Sequence, residues 1–159
     1  MLMKSGMENN DVLRSIRYLL NINDQKIVHI AELADLNIPL SEVQEFLKKE
    51  DEPGFQPCDD QFMSYFLDGL IYLNRGRDEN RPQPALELPF TNNTILKKLR
   101  VAFQLKEQDM LELIEKGGYR IGRSELSAFL RKKDHANYRD CGDQVLRYFL
   151  KGLTLKFRG

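Results

Sequence analysis

Tyr65-Phe66-Leu67-Asp68-Gly69-Leu70 and Tyr148-Phe149-Leu150-Lys151-Gly152-Leu153 are one pattern written twice, with a single difference in six residues. They stand 83 positions apart, and the same offset pairs Asn9–Gly76 with Asn92–Gly159 without a gap. Identical residues occupy 23 of the 68 paired positions, too many in one register for shared composition to produce. A segment repeated in this way is one structural unit used twice. The duplication also acts as a filter, separating what the unit keeps from what each copy changed.

The paired hexapeptides read as part of a final helix in each copy. Glycine in a helix interior costs about 1 kcal/mol relative to alanine. Its presence in both copies predicts that another backbone approaches closely there. The helix is expected to form the core and the surface through which the copies dock. Asp60 and Asp143 stand where its N-terminal cap belongs, and Gly76 and Gly159 suit a left-handed C-terminal position.

Working outward, the rest of the unit also reads as helix. Val12, Leu13, Ile16, Leu19 and Leu20 form one amphipathic stripe, answered by Ile95, Leu96, Leu99, Ala102 and Phe103. Asn9 or Asn10, and Asn92 or Asn93, are placed to cap these first helices. A second helix is predicted near Asp24–Leu36, its counterpart breaking at Gly117-Gly118. A short third helix follows Ser41 or Ser124 as cap and buries Phe46-Leu47 or Phe129-Leu130. An irregular stretch of about ten residues, holding Cys58 or Cys141, then leads into the last helix.

The expected fold is all-α, with two tandem four-helix units, about eight helices and approximate internal symmetry. Residues 1–8 are expected to be a disordered lead-in in which Met7 is a natural first residue; the repeats cover 9–76 and 91–159. The linker at 77–90 contains Pro82, Pro84 and Pro89. It is semi-rigid and spans up to ~40 Å at about 3.1 Å per residue. A 68-residue unit is close to the lower limit for independent folding, so the copies are expected to pack together.

The chain has 159 residues, 42% of them hydrophobic, and no apolar run approaches the roughly eighteen residues of a membrane span. A cytoplasmic protein without membrane contact is expected. Two cysteines at equivalent positions, Cys58 and Cys141, do not make a secreted disulfide framework. They read as small buried thiols. The net charge of zero hides a division, because residues 1–83 carry 9 basic and 15 acidic side chains while the remainder carries 15 and 9. Oppositely charged halves either attract one another, within a chain or between chains, or offer different surfaces to partners.

Catalytic patterns are missing from the sequence. The only histidines, His29 and His135, are replaced by Glu112 and Glu52 in the other copy, so a Cys–His pair would exist in one copy at most. There is no zinc-ligand spacing and no glycine-rich phosphate loop, and no cofactor is expected. Polar residues shared by both copies include Arg17/Arg100, Glu32/Glu115, Asp51/Asp134 and Asp60/Asp143. Arg17 lies at the edge of the apolar stripe, which predicts an internal ion pair with Glu32 or Asp51. The second and third helices also resemble a helix-turn-helix, with Arg120, Arg123, Arg131, Lys132 and Lys133 around the third helix of the basic copy. The acidic copy has Glu42, Glu45, Glu50, Asp51 and Glu52 there, which would repel phosphate.

Asn-Asn-x-x-Leu near the start of each copy, Phe-Leu-x-Lys-x-Asp in the middle, and Cys-x-Asp-Gln and Tyr-Phe-Leu-x-Gly-Leu toward the end resemble the YehS-like proteins. These are small bacterial proteins with two tandem copies of a domain of unknown function. The resemblance spans Asn9 to Gly159 and implies a bacterial, cytoplasmic protein with no established activity and no catalytic residues to transfer. The function expected from the residues is a non-enzymatic binding or adaptor module with a macromolecular partner, a protein before a nucleic acid. The alternative is a nucleic-acid-binding regulator using the basic repeat; a third reading is an enzyme with a new site between the copies.

Overall fold

The computed structural model describes residues 7–159, which form eight helices with no strand among the described residues. The first copy supplies α1 (Asn9–Leu20), α2 (Asp24–Leu33), α3 (Leu40–Leu47) and α4 (Asp60–Arg75). The second supplies α5 (Asn92–Ala102), α6 (Glu107–Gly117), α7 (Arg123–Leu130) and α8 (Asp143–Arg158). The all-α architecture of two four-helix units is therefore as the repeat predicts. Residues 1–6 of the expected lead-in lie outside the described residues.

The apolar stripes behave as their spacing dictates. Val12, Leu13, Ile16 and Leu19 are buried on α1, and Ile95, Leu96, Leu99 and Ala102 on α5. Helix α2 ends three residues earlier than expected because Asp35 turns left-handed, at φ 63°. Its counterpart is Gly118, at φ 116°. Asn21 and Gln104, after α1 and α5, are likewise a matched left-handed pair at φ 53° and 54°. The unit thus preserves backbone turns even where it does not preserve the residue.

The predicted caps need correction. The capping residues of α1 and α5 are Glu8 and Thr91, and Thr91 accepts from the Thr94 N–H. The four asparagines lie one residue or more inside the helices, where their side chains reach other elements instead. Pro39 and Gly122 precede α3 and α7, so Ser41 and Ser124 are helical residues. Asp59 caps α4 by accepting from the Phe62 N–H at 2.7 Å, and Gly142 stands at that position before α8. Asp60 and Asp143 are therefore first-turn residues and not caps.

Within each copy the last helix lies on the second. A Cβ added to Gly69 would overlap the carbonyl oxygen of Ile30, and one on Gly152 would overlap that of Leu113. The close approach inferred from the glycines is present, but its partner is α2 or α6 of the same copy. The last helices also carry the docking between copies, as expected: α8 packs on α1, and α4 on α5. At one end of this interface Arg158 lies over the Tyr18 ring at 4.5 Å. At the equivalent place Arg75 donates to the Val101 carbonyl at 3.4 Å and Asn74 to that of Ala102 at 2.9 Å. Buried side chains of both copies, including Phe66 and Phe149, form one continuous core. Fully burying a large apolar side chain contributes about 1.5–3 kcal/mol. Sharing the core between copies compensates for the small size of each unit.

One buried ion pair crosses the interface and breaks its symmetry. Asp68 of α4 is 7% exposed and receives the Lys98 ammonium of α5 on Oδ1. Gln83 of the linker donates to its Oδ2 at 2.7 Å, and the Tyr72 hydroxyl donates to Gln83 at 2.7 Å. Farther along, Arg77 pairs with Asp35, donates to the Leu33 carbonyl and covers the Tyr72 ring. The Arg77 guanidinium holds the Asp35 carboxyl below its usual range. The linker is thus folded back on the first copy rather than extended between units. The corresponding positions on the other side of the interface are Ser15 and Lys151.

Removing one member of a buried pair strands the other charge, typically at a cost of 3–5 kcal/mol. Lys98→Met is expected to destabilise the chain by about 3 kcal/mol, and Asp68→Asn added to it to restore part of the loss. Denaturant unfolding of the two single variants and the double variant measures this coupling. Strict additivity would mean that the contact holds nothing.

Candidate binding cleft of the second copy

The irregular stretch after the third helix is shaped by a buried asparagine. Asn93, 3% exposed, donates through Nδ2 to the carbonyls of Phe129 at 3.0 Å and Arg139 at 2.8 Å. Its Oδ1 accepts from the Cys141 N–H at 2.8 Å. Asn10 repeats the arrangement with Phe46, Gln56 and Cys58. The neighbouring Asn92 donates to the Cys141 carbonyl and to Asp143, as Asn9 does to Cys58 and Asp60. Two adjacent amides therefore hold both ends of the loop and the start of the last helix. No buried side-chain polar atom is left without a partner among the described residues. Residues 131–140 hold two turns of their own, closed by the His135 N–H on the Lys132 carbonyl and the Tyr138 N–H on the His135 carbonyl, and the asparagine clamp fixes these turns to the rest of the copy.

That segment, the first two turns of α5 and linker residues 87–89 enclose a cleft of about 530 Å³. Lys97, Lys98, Lys132 and Lys133 line it, with Thr91, Asn93, Thr94, Asp134, Tyr138, Glu87, Leu88 and Pro89. Lys97 donates to the Arg131 carbonyl and Lys98 is held by Asp68. Lys132 and Lys133 are exposed, and neither side chain makes a hydrogen bond or ion pair with the described residues. The Tyr138 hydroxyl donates to Asp140; burial, followed by that carboxylate, pushes its pKa above the usual phenol value.

The duplicate provides a comparison within the same chain. Nine cleft positions in the second copy, between Thr91 and Tyr138, carry four lysines and Asp134, a formal charge of +3. Their first-copy counterparts include Arg14 and Lys49 but also Glu8, Asp11, Glu50 and Asp51, a formal charge of −2. Arg14 donates to the Lys48 carbonyl, as Lys97 does to that of Arg131, and also pairs with Asp11, which Thr94 replaces in the second copy. The scaffold is common to both copies and the charge is reversed.

The shared polar residues do not form the internal pair read from the sequence. Arg17 donates to Asp24 at 2.8 Å, whereas Glu32 and Asp51 are exposed. Arg100 donates to the Leu105 carbonyl at 3.2 Å. Both arginines fasten the turn between the first two helices of their copy, so nearby partners replace the distant carboxylates. Glu115 is exposed and lies 3.7 Å from Arg120, while Asp134 lines the cleft.

The five basic residues of the helix-turn-helix reading have different surroundings. Arg123, at the start of α7, donates to Gln108 of α6, and Arg131 follows the helix beside His135. Only Lys132 and Lys133 reach the cleft. Helix α7 has eight residues, about 12 Å at 1.5 Å per residue, and five residues separate it from α6. The sequence pattern alone does not connect Lys97, Lys98, Thr94 and Tyr138 with these two lysines. A comparison of charge between paired positions is the signal that marks them.

The thiols are sheltered, as expected. Cys58 and Cys141 are free and buried, with Sγ of Cys141 3.5 Å from the Gly142 carbonyl. Burial, and then nearby carboxylates, raises the Cys58 thiol far above its ordinary range and pushes Cys141 up to about 12. His135 accepts from the Asn137 N–H through Nδ1. Among the described residues there is no cluster of three or more metal-ligating side chains. No described helix is long and apolar enough to cross a membrane.

A family model described as "Protein of unknown function (DUF1456)" matches residues 9–76 and again residues 92–159. The chain belongs to that family. It is 45% identical over 150 residues to "Uncharacterized protein YehS" of Escherichia coli (strain K12), covering 94% of this chain and 96% of that one. No solved structure matches the chain. The two matched segments coincide with the two halves of the internal repeat.

Proposed function

We propose that this chain is a cytoplasmic, non-catalytic module that binds an anionic macromolecular partner through its second copy. The observation that carries the reading is the charge reversal at equivalent cleft positions, from −2 in the first copy to +3 in the second. Selection for packing alone has no need to recolour a cleft while keeping its asparagine clamp. Between the copies the Asp68 carboxylate is committed to Lys98 and to the Gln83 amide, which favours a binding role over catalysis there. A protein partner would offer an acidic segment. A second copy of this chain offers one too, in the Glu50–Glu52 region, and would associate head to tail. Nucleic acid is the alternative partner, favoured by the two unpaired lysines at the cleft.

Co-purification from the native cell tests the reading. The full chain is expected to bring down a partner that is lost on Lys132→Glu with Lys133→Glu. The same change of charge at exposed Lys151 and Lys156 on α8 should leave the partner bound. Equal capture by both variants would overturn the assignment to the cleft.

A further inference from the structure

We infer that the second-copy cleft is a site for a nucleoside phosphate, met either as a free nucleotide or as a unit of single-stranded nucleic acid. The inference rests on the binding reading above and names the chemistry of its ligand.

The cations come from α5 and from the segment after α7. Lys132 and Lys133 have no partner among the described residues, and the Lys97 ammonium is fixed nearby by the Arg131 carbonyl. Lys98 is already balanced by Asp68, and the carboxylates facing the cleft are Glu87 and Asp134. A formal excess of positive charge remains, and of the two lining threonine hydroxyls, which share one hydrogen bond, one keeps a proton for a phosphate oxygen.

The linker adds apolar side chains to the lining. Leu88 is 73% exposed, more than any other large hydrophobic side chain among the described residues, and it lines the cleft beside Pro89. With the partly buried ring of Tyr138, these side chains offer a surface for a flat aromatic group. Base–aromatic stacking is worth about 1–3 kcal/mol per base and tolerates any base. A volume of about 530 Å³ lies in the range of small-ligand sites. It is too small for a duplex, so the phosphate and its base must be unpaired to enter. An acidic peptide would satisfy the lysines and leave Leu88 and Pro89 unused.

Fluorescence anisotropy on the full chain tests the inference with four probes: a labelled mononucleotide, a labelled uridine decamer, inorganic phosphate as competitor, and a labelled glutamate decamer. At about 50 mM salt the uridine decamer is expected to bind, with log affinity falling by roughly 0.7 per phosphate contact as log salt rises. Lys132→Glu with Lys133→Glu should weaken it at least tenfold, and Lys132→Gln with Lys133→Gln should give an intermediate loss. A decamer at least tenfold tighter than the mononucleotide assigns the site to a nucleic-acid strand; comparable affinities assign it to a free nucleotide. Both outcomes support the inference, which also predicts release by millimolar inorganic phosphate. Failure of both nucleotide probes to bind, or binding untouched by the lysine variants, overturns it. If the glutamate decamer alone binds through Lys132 and Lys133, the phosphate assignment fails while the partner-binding reading stands. If cellular capture is independent of these lysines as well, both readings fall.

Discussion

Gly152→Ala is expected to lower the melting temperature of the full chain by about 10 °C, and Gly69→Ala by a similar amount. Two opposing effects have to be weighed. In an exposed helix, alanine would stabilise by about 1 kcal/mol through propensity and a less flexible unfolded chain. Here the new methyl would fall on a backbone carbonyl, of Leu113 or Ile30, which cannot rotate away as a side chain can. The helices must separate, and overpacking of a core ordinarily costs about 1–3 kcal/mol or more. With backbone against backbone the upper end applies, and about 3 kcal/mol corresponds to roughly 10 °C in a chain of this size. Gly142 supplies the contrast, having open space around its Cβ position and φ of −71°. Alanine there should cost at most about 1 kcal/mol, through the weaker helix cap. Differential scanning calorimetry of the three variants decides the matter. Equal melting temperatures would remove the close approach of α8 to α6.

The second large effect belongs to Asn93 and Asn10. Asn93→Ala leaves the carbonyls of Phe129 and Arg139 and the N–H of Cys141 without their partner; the bonds to Phe129 and Cys141 are buried and that to Arg139 partly so. Each unsatisfied buried group costs about 1–3 kcal/mol, so a loss of about 4 kcal/mol is expected. Asn93→Asp is the sharper variant because it keeps the shape. Its carboxylate would still accept from Cys141 but would face two carbonyl oxygens where the amide donated. The ionised form is disfavoured in the fold, so the folded pKa rises above the unfolded value of about 3.9. The unfolded chain then loses its proton first, and the variant loses stability as pH rises from about 4 toward the folded pKa. Urea unfolding at about pH 4 and about pH 7 checks the sign. A variant more stable at the higher pH than at the lower, relative to the parent chain, would contradict the clamp.

Much of this architecture is legible because the chain repeats itself. The apolar stripes and Gly69/Gly152 stand at the same register in both copies, and a helix buries the same face whichever copy carries it. The caps are less legible. Asn, Ser and Asp at a helix start all suit the N-terminal position, and only the fold shows that Asn10 and Asn93 reach instead across to residues 36 and 46 positions later. Arg17 illustrates the same limit. Its place beside the apolar stripe points to a carboxylate on a distant element, but Asp24 is the acid within reach, and the counterpart Arg100 finds a carbonyl.

The cleft is obscured for a different reason. Attention to what the copies share retains Asn93, Lys132 and Asp134 but discards Thr94, Lys98 and Lys133, which face Asp11, Ser15 and Glu50 in the alignment. The Asp68–Lys98 pair is lost in the same way, since its counterparts are Lys151 and Ser15. Shared positions of a duplicated unit report its scaffold. The differences between copies report what each surface meets.

The most direct test is to give the second copy the acidic residues of the first. Thr94→Asp with Lys133→Glu copies Asp11 and Glu50 into equivalent backbone positions. Asp11 already accepts from the Glu8 N–H before α1, so a carboxylate introduced at position 94 has a matching N–H before α5. Folding should therefore be retained, with stability within about 1 kcal/mol of the parent. Quantitative capture of the cellular partner by this folded variant is the decisive measurement. At least a tenfold loss of bound partner is predicted; undiminished capture would contradict the claim that the difference between the two copies carries the function.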